Sequence, residues 1–262
     1  MKRTPLTMLA LAALTLPRPA VASGPGFAAI QALCHKTLKM HGARATSPGL
    51  ALGDGRFATV VRHHDRKKTR WELDLLLLRE RDGVWSVTQR DALPLRGEAV
   101  SGNPETAAEL CSIEHEPERA PAAALFVKDY DGDGKPELLV RWKLCWMLPG
   151  LGGTSVRVMR IYNLPAAGPL EPALHLEIEH DARPTAAGRT LGRYTFKDLS
   201  RDGHPDLEVR FTSTYVDYIK DVQHECTERW TRRFDWRAAG DRWVEAGPGK
   251  PKKRPRRCKR ME

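Results

Sequence analysis

The sequence predicts a mainly β protein made of antiparallel meanders, with two short helices. Apolar and polar residues alternate from Leu207 to Tyr215, which is the period-two pattern of a strand with one buried face. Similar short runs recur along the chain, and turn residues such as Gly, Pro, Asn and Asp separate them. Short strands at such intervals favour a sandwich or a propeller-like arrangement of sheets.

The predicted elements are two helices and a series of short strands. A first helix is predicted over 27–40, with Gly42 as its stop, and a second over 103–112, where Asn103 is the cap and Pro104 lies in the first turn. Strands are predicted over 57–62, 71–78, 84–88, 138–146, 155–162, 174–179, 207–215, 229–237 and 242–245. The last two of these form a predicted hairpin.

The start of the chain has the layout of a secretory signal. Lys2 and Arg3 precede an apolar run over 6–16, and small residues at 20–22 form a cleavage site. The apolar run is too short to span a bilayer. Residues 1–22 therefore predict a signal peptide, export to the periplasm or the cell exterior, and no transmembrane span.

The charge of the chain is concentrated at its two ends. The formal net charge is +10, of which residues 1–22 supply +3 and residues 250–262 supply +7. Residues 23–249, which we expect to form a single domain, are neutral overall, and this argues against a nucleic-acid-binding domain. The basic tail at 250–262 is interrupted by proline, so we expect it to be disordered. Its role is either that of a solvated end or electrostatic contact with an acidic envelope polymer or membrane surface.

Two short acidic loops are the most distinctive local pattern. The first loop, DYDGDGKPE at 129–137, and the second loop, DLSRDGHPD at 198–206, both place oxygen-bearing side chains at alternate positions and glycine at the sixth. Their surroundings, 125–142 and 194–211, share eight of eighteen residues without gaps. The chain therefore contains an internal repeat, in which strand, loop and strand form one unit that is used at least twice.

The chemistry of the loops is that of a site for a hard cation. Alternate carboxylates converge on one point when the backbone coils tightly, and the glycine permits the sharp turn. Calcium prefers roughly six to eight oxygen ligands at about 2.3–2.6 Å. A helix-loop-helix site would need a bidentate Glu at the twelfth position, which is Val140 in one loop and Val209 in the other.

With strands on both sides, the loops resemble the FG-GAP and VCBS-like repeats of extracellular proteins, whose loops have the pattern D-x-D/N-x-D-G-x-x-D. The resemblance implies two calcium sites. The ligands it implies are Asp129, Asp131, Asp133, Glu137 and the carbonyl of Lys135 in the first loop, and Asp198, Ser200, Asp202, Asp206 and the carbonyl of His204 in the second. Ser200 stands where the repeats usually carry Asp or Asn, so we expect the first site to be the stronger.

Five cysteines follow the predicted signal, and an exported chain favours disulfide bonds. They are Cys34, Cys111, Cys145, Cys226 and Cys258, and the odd number leaves one over. Cys34 and Cys111 fall in the helical parts, whereas Cys145 and Cys226 each lie beyond an acidic loop. We therefore prefer the pairs 34 with 111 and 145 with 226, with Cys258 free, and other pairings stay open.

The sequence contains no recognisable catalytic motif. A nucleophile elbow, an H-E-x-x-H motif and a P-loop are all absent. His63, His64 and Asp65 form the best titratable cluster, but adjacent histidines on a strand point to opposite faces and do not readily bind one metal together. Neighbours in the segment His224-Glu225-Cys226 diverge in an extended chain, and a disulfide at Cys226 explains that cysteine better.

These features favour a non-enzymatic, calcium-stabilised, exported β-repeat protein that acts as a binding or interaction module. Its partner would be a protein or an envelope polysaccharide. In a sharper form it is an inhibitor or immunity-type protein, whose surface loops at 144–154 or 163–172 enter a partner's active cleft. The alternative is an envelope hydrolase, which a pocket that collects His63 or His64 with a carboxylate and an unpaired hydroxyl would favour.

Overall fold

The computed structural model describes residues 24–45, 49–65, 70–93, 123–148, 152–166, 168–182, 188–246 and 256–261. It confirms a mainly β chain of antiparallel strands. The predicted signal at 1–22 and the predicted helix at 103–112 lie outside the described residues.

The described part of the chain has one α-helix and fourteen strands. The helix is α1 (Phe27–Lys36), and a short 3-10 turn spans Ala238–Gly240. The strands are β1 (His41–Ala45), β2 (Leu50–Gly53), β3 (Arg56–Asp65), β4 (Arg70–Arg81), β5 (Val84–Leu93), β6 (Ala123–Lys128), β7 (Glu137–Leu148), β8 (Gly152–Asn163), β9 (Glu171–Ala182), β10 (Gly188–Lys197), β11 (Asp206–Ile219), β12 (Val222–Arg237), β13 (Arg242–Glu245) and β14 (Arg256–Arg260).

The strands form two sheets. The first sheet has the order β1-β3-β4-β5, with β2 also paired to β3. The second sheet runs β13-β12-β11-β10-β9-β8-β7-β6, and β14 pairs with β12. Every consecutive pair from β6 to β13 is antiparallel, so the second sheet is one long meander.

The two sheets share a hydrophobic core, which is nearer to the sandwich alternative than to a propeller. Val60 and Leu75 of the first sheet pack in one cluster with Val140, Trp142 and Val158 of the second. On the other side of the first sheet, α1 buries Ile30 and Cys34 against Val61 and Leu76. Burial of these side chains on both faces fixes the position of the first sheet between α1 and β6–β8.

The second sheet also has a core of its own. Leu139 and Ile161 lie in one cluster with Val209, Phe234 and Trp243, which come from strands far along the same sheet. The sheet therefore curls, and β13 comes into contact with β9. Because β7 is buried on both faces, Leu138, Leu139 and Val140 are all 0–1% exposed.

Several predicted element bounds are wrong, and backbone conformation explains two of them. The helix ends at Lys36 and not at residue 40, because Lys39 adopts a left-handed backbone with φ +56°. The predicted strand over 229–237 begins at Val222, since Lys220 and Asp221, with φ +51° and +62°, form a tight turn that joins it to β11.

The loop proposed at 144–154 is also wrong, because β7 extends to Leu148 and β8 begins at Gly152. The connection proposed at 163–172 is confirmed as irregular chain over residues 164–166 and 168–170. Leu164 and Leu170 are buried there in the core between the sheets. Anchors of this kind restrict the freedom of the connection to enter a partner's cleft.

The prediction of a disordered tail and a free Cys258 is wrong for residues 256–260, which form β14. Cys258 lies directly opposite Cys226 in the register of β14 on β12, with their Cα atoms 4.1 Å apart, and the two form a disulfide bond. Cys226 is therefore not paired with Cys145. Cys34 is a free, buried thiol, so it does not pair with Cys111. Cys111 and the side chain of Cys145 lie outside the described residues.

Candidate metal centre

The two acidic loops occupy equivalent places in the meander and share a backbone conformation. The first loop joins β6 to β7, and the second joins β10 to β11. The sixth position is left-handed in both, with φ +85° at Gly134 and +92° at Gly203. The fourth position is also left-handed, with φ +79° at Gly132 and +65° at Arg201. The sequence repeat is therefore a structural repeat, and glycine at the fourth position of the first loop is a feature that sequence reasoning missed.

The first loop brings its four predicted carboxylates together. Asp129, Asp131, Asp133 and Glu137 each offer an oxygen, and these oxygens all lie within 4.8 Å of one another. Asp131 and Glu137 are 2% and 3% exposed, whereas Asp133 is exposed. Four carboxylates gathered at one point repel one another unless a cation or protons compensate their charge.

Backbone N–H groups hold the first loop in this shape. The Asp129 carboxylate accepts hydrogen bonds from the N–H groups of Gly132 at 2.6 Å and Gly134 at 3.0 Å. Glu137 Oε2 accepts one from Tyr130 N–H at 2.5 Å. These bonds leave further lone pairs on each carboxylate, so the same oxygens can also bind a cation.

The pKa values of the carboxylates reflect their crowding. Burial, with the negative charges of Asp131 and Asp129 added, raises the pKa of Glu137 from 4.5 to about 7. Burial is also the main cause that raises the pKa of Asp131. Burial opposes ionisation of Asp133, but the ammonium group of Lys135, 2.7 Å away, outweighs it and lowers the pKa of Asp133. The site is therefore acidic but holds a proton readily while it has no metal.

The calcium dependence of stability is expected to grow with pH. The pKa of Glu137 is about 7 when the metal-free protein is folded and 4.5 for the unperturbed group, so the folded state binds more protons between these values. This contribution to the stability of the metal-free protein is fully present below pH 4.5 and is lost as the pH rises through about 7. Calcium binds the ionised carboxylate. Melting curves measured with calcium and with chelator should therefore nearly coincide at pH 4.5 and separate above a pH of about 7. A separation that does not change with pH would contradict a role for Glu137 as a ligand.

The second loop repeats the hydrogen bonds of the first, since Asp198 accepts those of the Arg201 N–H at 2.6 Å and the Gly203 N–H at 3.1 Å, but its carboxylates do not converge in the same way. Asp206 is 0% exposed and accepts hydrogen bonds from the N–H groups of Leu199 at 2.9 Å, Ser200 at 2.8 Å and Trp236 at 3.3 Å. Within the described residues, Asp198, Asp202 and Asp206 do not form a second group of carboxylates like that of the first loop. The buried carboxylate is thus satisfied by backbone donors, and the second metal site stays a prediction.

The two loops lie against each other. His204 Nδ1 donates a hydrogen bond to the carbonyl of Asp131 at 3.2 Å. A Cβ atom added at Gly132 would lie 3.0 Å from Pro205 Cδ, so any larger residue would press on the second loop. His204, predicted to offer its carbonyl to a metal, therefore also supports the backbone of the first site through its ring.

Comparison with known proteins adds no relative. No protein-family model matches the chain, and no curated protein or solved structure does. Of the helices in the described ranges, none has the length and apolar character to cross a membrane.

A second cluster of titratable side chains lies beneath α1 on the first sheet. His63 Nε2 lies 2.5 Å from Asp74 Oδ2, and the Arg90 guanidinium reaches the same oxygen at 2.9–3.0 Å. The hydroxyl of Thr59 is buried nearby on the same face of β3 and has no hydrogen-bond partner among the described residues. This is the combination that would favour a hydrolase, but His63 is 4% and Asp74 0% exposed.

The second cluster consists of a buried carboxylate, Asp74, that contacts the buried ring of His63 and the Arg90 guanidinium, which is 40% exposed. Burial, with the charge of Asp74 added, raises the pKa of the Cys34 thiol to about 11, so it stays protonated and is a poor nucleophile. Cys226, which the sequence places next to His224 and Glu225, is held in a disulfide. The ring of His224 instead bonds the carbonyl of Val222 at 2.9 Å.

Proposed function

We propose that the protein is an exported, calcium-stabilised binding module without enzymatic activity, of the FG-GAP or VCBS-like kind. The observation that carries the proposal is the convergence of four carboxylates in the first loop. All four donors are hard oxygen ligands, which suit calcium or magnesium better than zinc or copper. Carboxylates and a carbonyl on one irregular loop fit the flexible, many-oxygen shell of calcium better than the strict octahedron of magnesium.

In this proposal the bound metal stabilises the fold and takes no part in a catalytic reaction. The first loop lies where β6 passes to β7, and β7 belongs to both cores of the molecule. A cation that neutralises the carboxylates therefore stabilises β7, the strand that packs in both cores. A site with a dissociation constant of ~10⁻⁴ M adds roughly 1.4 kcal/mol at ~1 mM free calcium. For a domain of this size that corresponds to a rise in melting temperature of roughly 3–6 °C.

Two matched variants test this proposal. Asp133 and Asp202 occupy the fifth position of their loops, and each accepts a hydrogen bond from the N–H of the seventh residue, at 2.7 Å and 3.0 Å. Replacement by asparagine keeps an acceptor at each position and removes one charge. In millimolar calcium, Asp133→Asn should lose most of the calcium-dependent rise in melting temperature, and Asp202→Asn should lose less.

The measurement is thermal unfolding of each variant with calcium and with chelator. Wild-type curves that coincide at pH values above 7 would contradict the stabilising role. Equal losses in the two variants would instead mean that both loops bind metal with similar strength, which contradicts the primacy of the first loop.

A further inference from the structure

The outer face of the second sheet carries an unusual concentration of basic side chains. Tyr194, Phe196, Val209, Phe211 and Phe234 point from β10, β11 and β12 into the core. The alternate residues of these strands point outward, and β14 extends the same face beyond β12. We call this outer surface the basic face, which is formed by Arg193, Arg210, Arg229, Arg233, Arg257 and Lys259.

The register of the strands shows how the basic face is built. Arg193 is directly opposite Arg210, and Thr212 is opposite Arg229. Thr227 of β12 is opposite Arg257 of β14. Cross-strand partners lie ~5 Å apart, so the arginines and threonines form a continuous array of hydrogen-bond donors. The acidic residues among the outward positions of 208–216, 225–235 and 257–259 are Glu208, Glu225 and Asp235, and Glu179 of β9 lies opposite Leu191.

Internal ion pairs neutralise only part of this charge. Glu208, 4% exposed, binds Arg210 at 2.6 Å and Arg233 at 3.4 Å. Within the described chain, Arg193, Arg229, Arg257 and Lys259 make no ion pair, and all four are exposed. Like charges directly opposite each other, as at Arg193 and Arg210, destabilise a sheet. This pair of opposed arginines does not stabilise the fold. Its presence therefore points to the binding of an external anion.

The tail adds its charge to this face in a fixed position. The disulfide between Cys226 and Cys258 fastens β14 to β12 and so places Arg257 and Lys259 in the array. Arg256 points to the other side, where it bonds Asp217 and stacks on Tyr215. The basic face therefore combines arginines from the neutral stretch 23–249 with Arg257 and Lys259 from the basic tail.

We infer that the basic face binds an acidic polysaccharide, a polymer with carboxylate or sulfate groups along its chain. Arginine pairs with such groups through two parallel hydrogen bonds, and threonine hydroxyls can bond the sugar hydroxyls between them. This deepens the proposed binding role and rests on it, but it does not depend on the metal.

The composition of the face favours this polymer over other anions. Single-stranded nucleic acid needs aromatic side chains on which bases stack. The exposed large apolar side chains on this side of the described sheet are scattered: Leu191 lies on β10, Val244 on β13, and Tyr218 and Met261 at the tip of the β11–β12 hairpin. A membrane surface would need apolar residues clustered among the charges to insert beside them, and these side chains lie at the margins of the basic face.

Heparin is the probe that tests the inference, with a matched pair of charge reversals. The test variant is Arg193→Glu with Arg229→Glu, both exposed and without an ion pair. The control is Arg79→Glu with Arg81→Glu, which makes the same change in net charge on exposed residues of β4 in the first sheet. Binding to heparin, measured by titration at low salt, should weaken about tenfold or more in the test variant and only about twofold in the control.

Three outcomes would overturn the inference. They are no binding of heparin by the wild-type protein, equal losses in the two variants, and tighter binding of duplex DNA or of phosphatidylglycerol vesicles than of heparin. The melting curves of the test variant with calcium and with chelator separate this inference from the proposed function. A variant that loses heparin binding but keeps its calcium-dependent rise in melting temperature supports both, because the two sites are distinct.

Discussion

Replacing Asp74 by alanine is expected to lower the free energy of unfolding by about 3–4 kcal/mol, the largest single effect among the changes considered. Asp74 is 0% exposed and compensates the charge of Arg90, while it also fixes the ring of His63 at 2.5 Å. Its removal deprives the buried ring of His63 and the Arg90 guanidinium, which is 40% exposed, of this acceptor and opens space under α1. Urea unfolding at neutral pH measures the loss.

A charge on the same strand provides the control for Asp74. Arg79 lies on β4 as Asp74 does, but its side chain is exposed. Arg79→Ala should change the free energy of unfolding by no more than about 0.5 kcal/mol. If Asp74→Ala costs less than about 1 kcal/mol, the cluster beneath α1 does not stabilise the fold, and the hydrolase alternative gains support.

Replacing Asp206 by alanine is expected to cost about 2–3 kcal/mol, with calcium or without it. The buried Asp206 carboxylate accepts three backbone N–H groups, from Leu199, Ser200 and Trp236, and so ties the second loop to β12. Bonds from backbone donors to a charged acceptor are stronger than average, and buried donors without an acceptor are costly. The melting temperature should fall by roughly 4–12 °C.

The outcome for Asp206 distinguishes a structural from a metal-binding role. Asp202→Ala is the control, since that carboxylate is exposed and accepts the His204 N–H at 3.0 Å. Asp202→Ala should cost less than about 1 kcal/mol. A loss at Asp206 that appears in calcium and vanishes in chelator would mean that Asp206 acts mainly as a metal ligand and that its backbone contacts contribute little.

Features encoded within a few residues could be predicted from the sequence. The loops are of this kind, because their hydrogen bonds, such as those from Gly132 and Gly134 to Asp129, join residues that are at most five positions apart. The alternation in β11 is also local, and its buried face was predicted correctly at Leu207, Val209 and Phe211. Local chemistry therefore gave the strand–loop–strand unit and the four carboxylates that converge.

Features that depend on distant parts of the chain could not be predicted in this way. The pairing of Cys226 with Cys258 requires β14 to join β12, and a tail rich in Lys and Arg has the composition of a disordered segment. His63, Asp74 and Arg90 lie on three neighbouring strands, so only the sheet register brings them together. The contact of His204 with Asp131 depends on the curl of the second sheet, of which the sequence pattern contains no sign.

The turn between β11 and β12 shows a further limit. Lys220 and Asp221 adopt left-handed backbone conformations that favour glycine, asparagine or aspartate, and lysine is unexpected there. The hairpin was therefore missed, and with it the full length of β12 and the outward rows that carry the basic face. The composition of the chain alone gave no sign that basic residues are concentrated on one face of the second sheet.

The central claim is that the first loop binds calcium, and calorimetric titration of calcium into metal-free protein at a pH above 7 tests it most directly. We expect saturable binding with a dissociation constant on the order of 10⁻⁴ M or tighter, which is strongly weakened in Glu137→Gln. Glutamine keeps an acceptor for the Tyr130 N–H and removes only the charge. The absence of saturable binding in the wild-type protein, or unchanged binding in Glu137→Gln, would contradict the claim.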